Sequence, residues 1–181
     1  SGKDHGVAGG SIDTAIAIHK EIFGREPPLL PTYGFITFGG KKLSGSAGSG
    51  IPVSEFPKIL EPEMFLYKIY RLTLRRDFDF DVSKDVPSIA AEFDKAEEIY
   101  YKETDIEHTT TLEKTIKAYE LAIIEKSQKT KPLRVDYGLL VTLMQVYMMN
   151  KEKVLDKLKE QKIIPPTATK SDVDSFSRRF D

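Results

Sequence analysis

The sequence has no cysteine, which excludes disulfides and thiolate metal sites and leaves nothing that points to an oxidising compartment. Its three histidines, His5, His19 and His108, are scattered. Only His5 and His19 could share a first helix with the loop before it, and their spacing fits no usual metal-ligand signature, so no metal site is expected here. Charge of one sign is also missing: 27 Lys and Arg face 28 Asp and Glu, a formal net charge of -1. Overall charge therefore gives no sign of a nucleic-acid partner, and only a local patch could supply one. The longest apolar run, residues 137–149, is broken by Thr142 and Gln145 and falls short of the roughly 20 residues that span a bilayer. Residues 1–10 hold no initiating methionine, basic leader or apolar signal core. The expectation is a soluble, cytoplasmic chain that opens as a cut within a longer one.

A length of 181 residues allows one sizeable core or two small ones. After a glycine-rich opening, Ser11 can cap a helix whose Ile12, Ala15, Ile16, Ile22 and Phe23 follow helical spacing, with Gly24 as its stop. Pro27, Pro28 and Pro31 forbid its continuation, and residues 33–38, aromatic and β-branched, predict a strand. Residues 39–50 are almost entirely Gly, Ser and Lys, a composition that predicts a mobile loop.

Glu61-Pro62 then opens a helix with Phe65, Leu66, Ile69, Tyr70 and Leu72 on one broad face. Phe78-Asp79-Phe80-Asp81 alternates, and everything after Asp85 reads as helix: 89–101, 112–125, 135–149, 151–161 and a last one from 171, with breaks at Pro132, Pro165 and Pro166. The helix from Val135 is apolar enough to predict bundle core. The fold class is thus α/β followed by all-α, with domains at 1–82 and 83–181.

Two segments could carry chemistry. Gly2-Lys3-Asp4-His5-Gly6 precedes a helix, whose N–H groups and dipole favour an anion or ribose hydroxyl; the same residues also suit a simple capped helix start. The second, Lys41-Lys42-Leu43-Ser44-Gly45-Ser46-Ala47-Gly48-Ser49-Gly50, is no Walker A loop, because no Gly is followed by Lys and then Ser or Thr. A loop of ammonium groups and small hydroxyls can close over a triphosphate and stabilise a departing pyrophosphate. By composition alone a solvated linker is the favoured reading, as Gly/Ser-rich stretches usually are linkers, and only the order of the motifs reverses it.

The order of these segments is similar to that of the class I lysyl-tRNA synthetases. Gly-Lys-Asp-His at 2–5, followed by Ala-Gly-Gly-Ser-Ile-Asp-Thr at 8–14, resembles the late Rossmann segment of that family. Residues 42–51 resemble its signature loop, which usually reads Lys-Met-Ser-(Ser/Gly)-Ser-Lys-Gly-Asn, and Ser54-Glu55-Phe56 resembles the Ser-Glu-Trp that follows. Residues 89–100 resemble its Glu-Tyr/Phe-Asp/Glu-Lys/Arg-Ala-Glu helix, and 139–156 its helical domain.

The resemblance implies a partial Rossmann-type (HUP-like) nucleotide-binding unit, with the signature loop at 41–51, joined to a helical tRNA/anticodon-binding-type domain. It implies that Gly2, Asp4 and His5 border the pocket for lysine and adenylate, with Ser11 and Asp13 as weaker candidates. Lys42, Ser44 and Ser46 would face the ATP phosphates in the catalytic step, with Mg2+ expected alongside. Lys68, Arg71, Arg75 and Arg76 are weaker candidates for tRNA phosphate contacts; a solvated helix end is the favoured reading of them, since no aromatic residues stand by for bases.

Two departures bear on activity. Ala47 stands where the signature loop has its second lysine, and the earlier His-x-Gly-type motif of the family is absent from these residues. Because the ligand of a doubly wound fold sits between its two halves, a fragment of this extent is expected to be inactive alone, with anticodon recognition also incomplete. The competing expectation, favoured by Ala47, is a non-catalytic tRNA-binding paralogue.

Overall fold

The computed structural model describes residues 2–42, 54–101, 110–124 and 130–180. The chain divides into two compact units, Ser1–Ile51 with Leu72–Asp81, and Pro52–Arg71 with Val82–Asp181.

The first unit is built on a three-stranded sheet: β1 (Ile36–Phe38), β2 (Lys41–Lys42) and β3 (Phe78–Phe80), in the order β2-β1-β3. β1 runs parallel to β3 and antiparallel to β2. The predicted strand at 33–38 is shorter than expected. Tyr33 makes only an isolated parallel bridge to Gly2, because the next two amides leave the ladder: Gly34 N–H donates to the Leu74 carbonyl at 2.6 Å and Phe35 N–H to the Asp77 carboxylate at 2.8 Å.

The first residues of the expected mobile loop form a hairpin instead. Phe38 pairs with Lys41, so Gly39 and Gly40 are its two-residue turn, with φ of 56° and 74°. Two successive left-handed residues make a type I′ turn, whose twist matches the flanking strands and which glycine adopts without a Cβ penalty.

Ahead of the sheet, a 3-10 turn at Lys3–Gly6 leads into α1 (Ser11–Phe23). Gly10, not Ser11, is the N-cap. A Cβ at Gly10 would lie 2.5 Å from the His5 carbonyl oxygen, so no side chain fits there, and Asp13 reaches back to accept from Gly9 N–H at 2.8 Å. Gly24 ends α1 in the left-handed conformation, as the sequence predicts. None of the residues of α1 is buried, and Ile22 and Phe23 stand exposed.

The second unit packs α2 (Pro62–Arg71), α3 (Val82–Tyr100), α4 (Thr110–Ala122), α5 (Tyr137–Val146), α6 (Lys151–Glu160) and α7 (Lys170–Ser177). Helical spacing sets the buried stripe of α3: Val86, Ile89, Ala90, Phe93, Ala96 and Glu97. Met64 and Tyr67 of α2 and Leu112, Ala118, Tyr119 and Ala122 of α4 are buried as well. The Phe93 ring meets those of Tyr67 and Tyr119 at centroid distances of 5.8 and 5.2 Å. A second cluster joins Val135, Leu140, Leu143, Met144, Val154, Leu158, Ile164 and Phe180.

Pro87 lies inside α3, as its sixth residue. That start is earlier than the residue 89 predicted, because proline removes one ladder bond near the first turns without ending a helix whose apolar stripe is buried. The predicted core helix from Val135 is cut back at both ends. Asp136 caps α5 by accepting from Leu139 N–H at 2.8 Å, and the helix stops at Val146, leaving Val146, Met148 and Met149 exposed.

Candidate active site

In the first unit, the segment expected to border the adenylate is held against the sheet by Lys3. Its N–H donates to the Tyr33 carbonyl at 2.9 Å, and its ammonium sits 2.7 Å from Asp77 Oδ2 and 4.8 Å from the centre of the Phe35 ring. Asp77 Oδ1 accepts from Phe35 N–H, so one carboxylate joins the turn to the strand. Two donors that favour the ionised form, the Lys3 ammonium first and the Phe35 amide second, hold the Asp77 carboxyl below its ordinary range.

Gly2 is buried, while Asp4 and His5 are exposed. His5 Nδ1 is 2.7 Å from Ser11 Oγ, and its Nε2 is 4.0 Å from Asp4 Oδ1. The Ser11 hydroxyl therefore serves the histidine and not the helix cap. Gly2, Asp4, His5, Ser11 and Asp13 are thus brought together around the start of α1.

The second predicted segment enters the structure through the hairpin. Asp79 Oδ1 accepts from the Thr37 hydroxyl and from Gly40 N–H, the latter at 2.8 Å. These bonds, the Thr37 hydroxyl first, lower the Asp79 carboxyl as well. Lys42 pairs with Thr37 in the hairpin; Ser44, Ser46 and Ala47 lie outside the described residues. Gly2 pairs with Tyr33 and Lys42 with Thr37, so both predicted segments flank the same stretch of chain. The two contacts lie four positions apart along the chain.

The basic group is divided. Lys68 pairs with Glu92 at 3.1 Å, and Arg71 donates to the Thr115 hydroxyl at 3.0 Å, both in the helical unit. Arg75 and Arg76 are exposed in the other unit. The four therefore do not form one patch within either unit.

Sequence reasoning missed Lys3, Thr37, Asp77 and Asp79. The available signal was the alternation Phe78-Asp79-Phe80-Asp81, which sends phenylalanines to one face of β3 and carboxylates to the other. It also missed an ion-pair network in the helical unit. Glu97, fully buried on α3, accepts from the Tyr119 hydroxyl at 2.7 Å and pairs with Arg134 at 3.1 Å; Arg134 reaches Glu61 at 3.2 Å. Arg179, its side chain 1% exposed, joins Glu61 at 2.7 Å and Asp94 at 2.6 Å.

Burial opposes the charge on both arginines, yet their carboxylate partners outweigh it and hold both guanidinium groups above their ordinary values. Burial first, and then Glu97, pushes the Tyr119 phenol up, so it stays a donor. Asp94 and Glu97 both fall in the helix motif at 89–100, which here organises a buried network. A cavity of about 290 Å³ in the same unit, lined by Met64, Leu140, Met144, Met149 and Phe180 among others, contains none of the predicted site residues. Among the described residues, no group of three His, Asp or Glu could hold a metal ion, and no helix is long and apolar enough to cross a membrane.

A parallel β-pair flanked by a glycine-rich helix start is consistent with part of an α/β nucleotide-binding unit. The family model for tRNA synthetases class I (K) matches residues 1–125, and the chain belongs to that family. Among its relatives, a lysine-tRNA ligase of Thermoplasma volcanium is 39% identical over 155 residues, covering 85% of this chain and 29% of that protein. The lysine-tRNA ligase of Thermoplasma acidophilum is 35% identical over 153 residues, covering 83% and 29%. That of Pyrococcus horikoshii is 32% identical over 187 residues, covering 99% and 34%. The chain thus spans about a third of the length of the curated relatives it matches.

Proposed function

We propose that this chain is part of a lysine-tRNA ligase that activates lysine with ATP and transfers it to tRNA. The observation that carries the reading is that the Gly2–Gly6 turn and the Lys41–Lys42 hairpin both pair with residues 33–38, in a chain whose relatives bear that enzyme's name over most of its length.

In the first step, a lysine carboxylate oxygen attacks the α-phosphorus of ATP in line, and the bond to pyrophosphate breaks, giving lysyl-adenylate. In the second, a hydroxyl of the terminal tRNA adenosine attacks the activated carbonyl and AMP leaves. Neither step needs a covalent enzyme intermediate, so positioning and charge stabilisation supply the acceleration. Gly2, Asp4 and His5 border lysine and adenylate, with Ser11 and Asp13 behind them; Lys42, Ser44 and Ser46 face the phosphates, with Mg2+ alongside. The first 82 residues serve as the late part of a Rossmann-type catalytic domain and 83–181 as helical tRNA-binding structure, in a cytoplasmic enzyme of translation. Lys68, Arg71, Arg75 and Arg76 are the proposed phosphate contacts to tRNA.

Ala47, where the signature loop has a lysine, favours a second reading, a non-catalytic tRNA-binding paralogue. Lysine-dependent exchange of pyrophosphate into ATP by the complete gene product separates the two. Exchange above background is expected, and Ala47→Lys is expected to raise its rate. Tight tRNA binding with no exchange would leave only the paralogue.

A further inference from the structure

Two aspartates, Asp77 just before β3 and Asp79 within it, each grip one of the two segments just described. Asp77 and Asp79 are two residues apart in sequence, while Phe78 and Phe80 meet each other at 6.2 Å. Asp77 uses both carboxylate oxygens: Oδ2 takes the Lys3 ammonium and Oδ1 the Phe35 amide. Asp79 concentrates two donors on one oxygen, the Thr37 hydroxyl and the Gly40 amide. Lys3 belongs to the turn that carries Gly2, Asp4 and His5. Gly40 is the second residue of the hairpin turn from which Lys41 and Lys42 depart.

Neither contact is a generic strand feature. The ladder bonds of β1 to β3 are made by backbone groups, and a carboxylate on the sheet face has water available to it. That both aspartates turn instead to a loop amide and to a side-chain donor on a neighbouring segment means that β3 sets the place of both loops at once. We infer that Asp77 and Asp79 are positioning residues, a two-point clamp that keeps the adenylate turn and the phosphate hairpin at a set separation along β1. The inference rests on the proposed ligase reading, since it assigns the clamp to that reaction. It goes beyond it in naming residues outside both motifs and in giving each a separate kinetic signature.

The geometry predicts which parameter each residue moves. Loosening the hairpin displaces groups that act as pyrophosphate leaves, so Asp79→Ala lowers the saturated rate of lysine-dependent ATP-pyrophosphate exchange about ten- to hundredfold, on the scale of a misplaced catalytic group, with the KM for lysine unchanged. Loosening the turn displaces the border of the lysine pocket, so Asp77→Ala raises the KM for lysine about tenfold or more. Asp79→Asn keeps an oxygen that accepts from Thr37 and Gly40, and is expected within about twofold of wild type.

The experiment measures these constants on the complete gene product, with hydrogen exchange at the Gly40 amide as the physical readout. Faster exchange at Gly40 in Asp79→Ala but not in Asp79→Asn, together with the split between rate and KM, supports the clamp. If Asp79→Ala does not fold, Thr37→Val removes one donor while keeping the side chain's shape, and a several-fold fall in rate at unchanged KM for lysine is expected. Wild-type constants in both alanine variants, or Asp79→Asn as impaired as Asp79→Ala, would overturn the clamp while leaving the ligase reading intact. A wild-type protein without any lysine-dependent exchange overturns the ligase reading and the clamp with it.

Discussion

Gly34 is a residue whose identity is dictated by its neighbours. A Cβ there would lie 2.3 Å from the Arg76 carbonyl oxygen, 2.4 Å from its carbon and 2.8 Å from Asp77 N. All three are backbone atoms of the segment that leads into β3, so no rotamer change relieves the clash. Gly34→Ala is expected to destabilise the protein by about 3 kcal/mol or more, read as a fall in denaturant midpoint, and to weaken the Lys3–Asp77 contact that depends on this approach.

Arg134 gives the opposite lesson, a residue that is needed because of a charge already buried. With Glu97 fully out of solvent and Arg134 its cationic partner, Arg134→Met strands a carboxylate whose one other described donor is Tyr119. The expected loss is about 3–5 kcal/mol in urea unfolding. Adding Glu97→Gln to the Met variant is expected to recover part of it, since a neutral amide still accepts from Tyr119 and carries no charge to compensate.

Among the elements, α5 and α6 end alike. After α6 the Lys162 and Ile163 amides turn back to the Lys159 and Leu158 carbonyls at 3.0 Å each, and after α5 the Met148 and Met149 amides turn back to Gln145 and Met144 at 3.2 and 2.7 Å. These are Schellman endings, which call for a left-handed residue, and here Lys162 and Met148 occupy it with φ of 58° and 51°. Lys162→Gly is expected to stabilise by about 0.5–1 kcal/mol, the left-handed penalty exceeding the entropy that glycine adds to the unfolded chain; thermal unfolding checks it. Glycine is the usual signal for such an ending, and its absence explains why the predicted helix from Val135 runs past its true end. At the start of α7, Thr169 and Asp172 cap each other reciprocally: Asp172 accepts from Thr169 N–H at 2.7 Å and donates its own amide to the Thr169 hydroxyl at 3.2 Å.

At the scale of the molecule, acid should act on the first unit through its two aspartates. Asp77 and Asp79 have carboxyls lowered in the folded state, so their contribution is present above the unfolded value of about 3.9 and is lost as pH falls through the lower folded values. Protection of the Phe35 and Gly40 amides is therefore expected to fall below about pH 4. Asp79→Asn should keep Gly40 protected through that window.

What the sequence determined by itself was local. Periodicity placed each helix, β-branching and aromatics placed β1, glycine at 24 closed α1, and the order of two short motifs pointed to the synthetase family before any fold was seen. All of these depend on interactions within a few residues or on the identity of residues in a row. Only the tertiary structure decided which distant residues meet. It grouped α2 with the later helices although chain order puts it before β3, matched Lys3 with Asp77 and Gly40 with Asp79, and brought Arg179 to Glu61 and Asp94. Such pairs are set by how packed elements cross in space, and residues 74 or 118 positions apart leave no periodic trace of their contact in the chain.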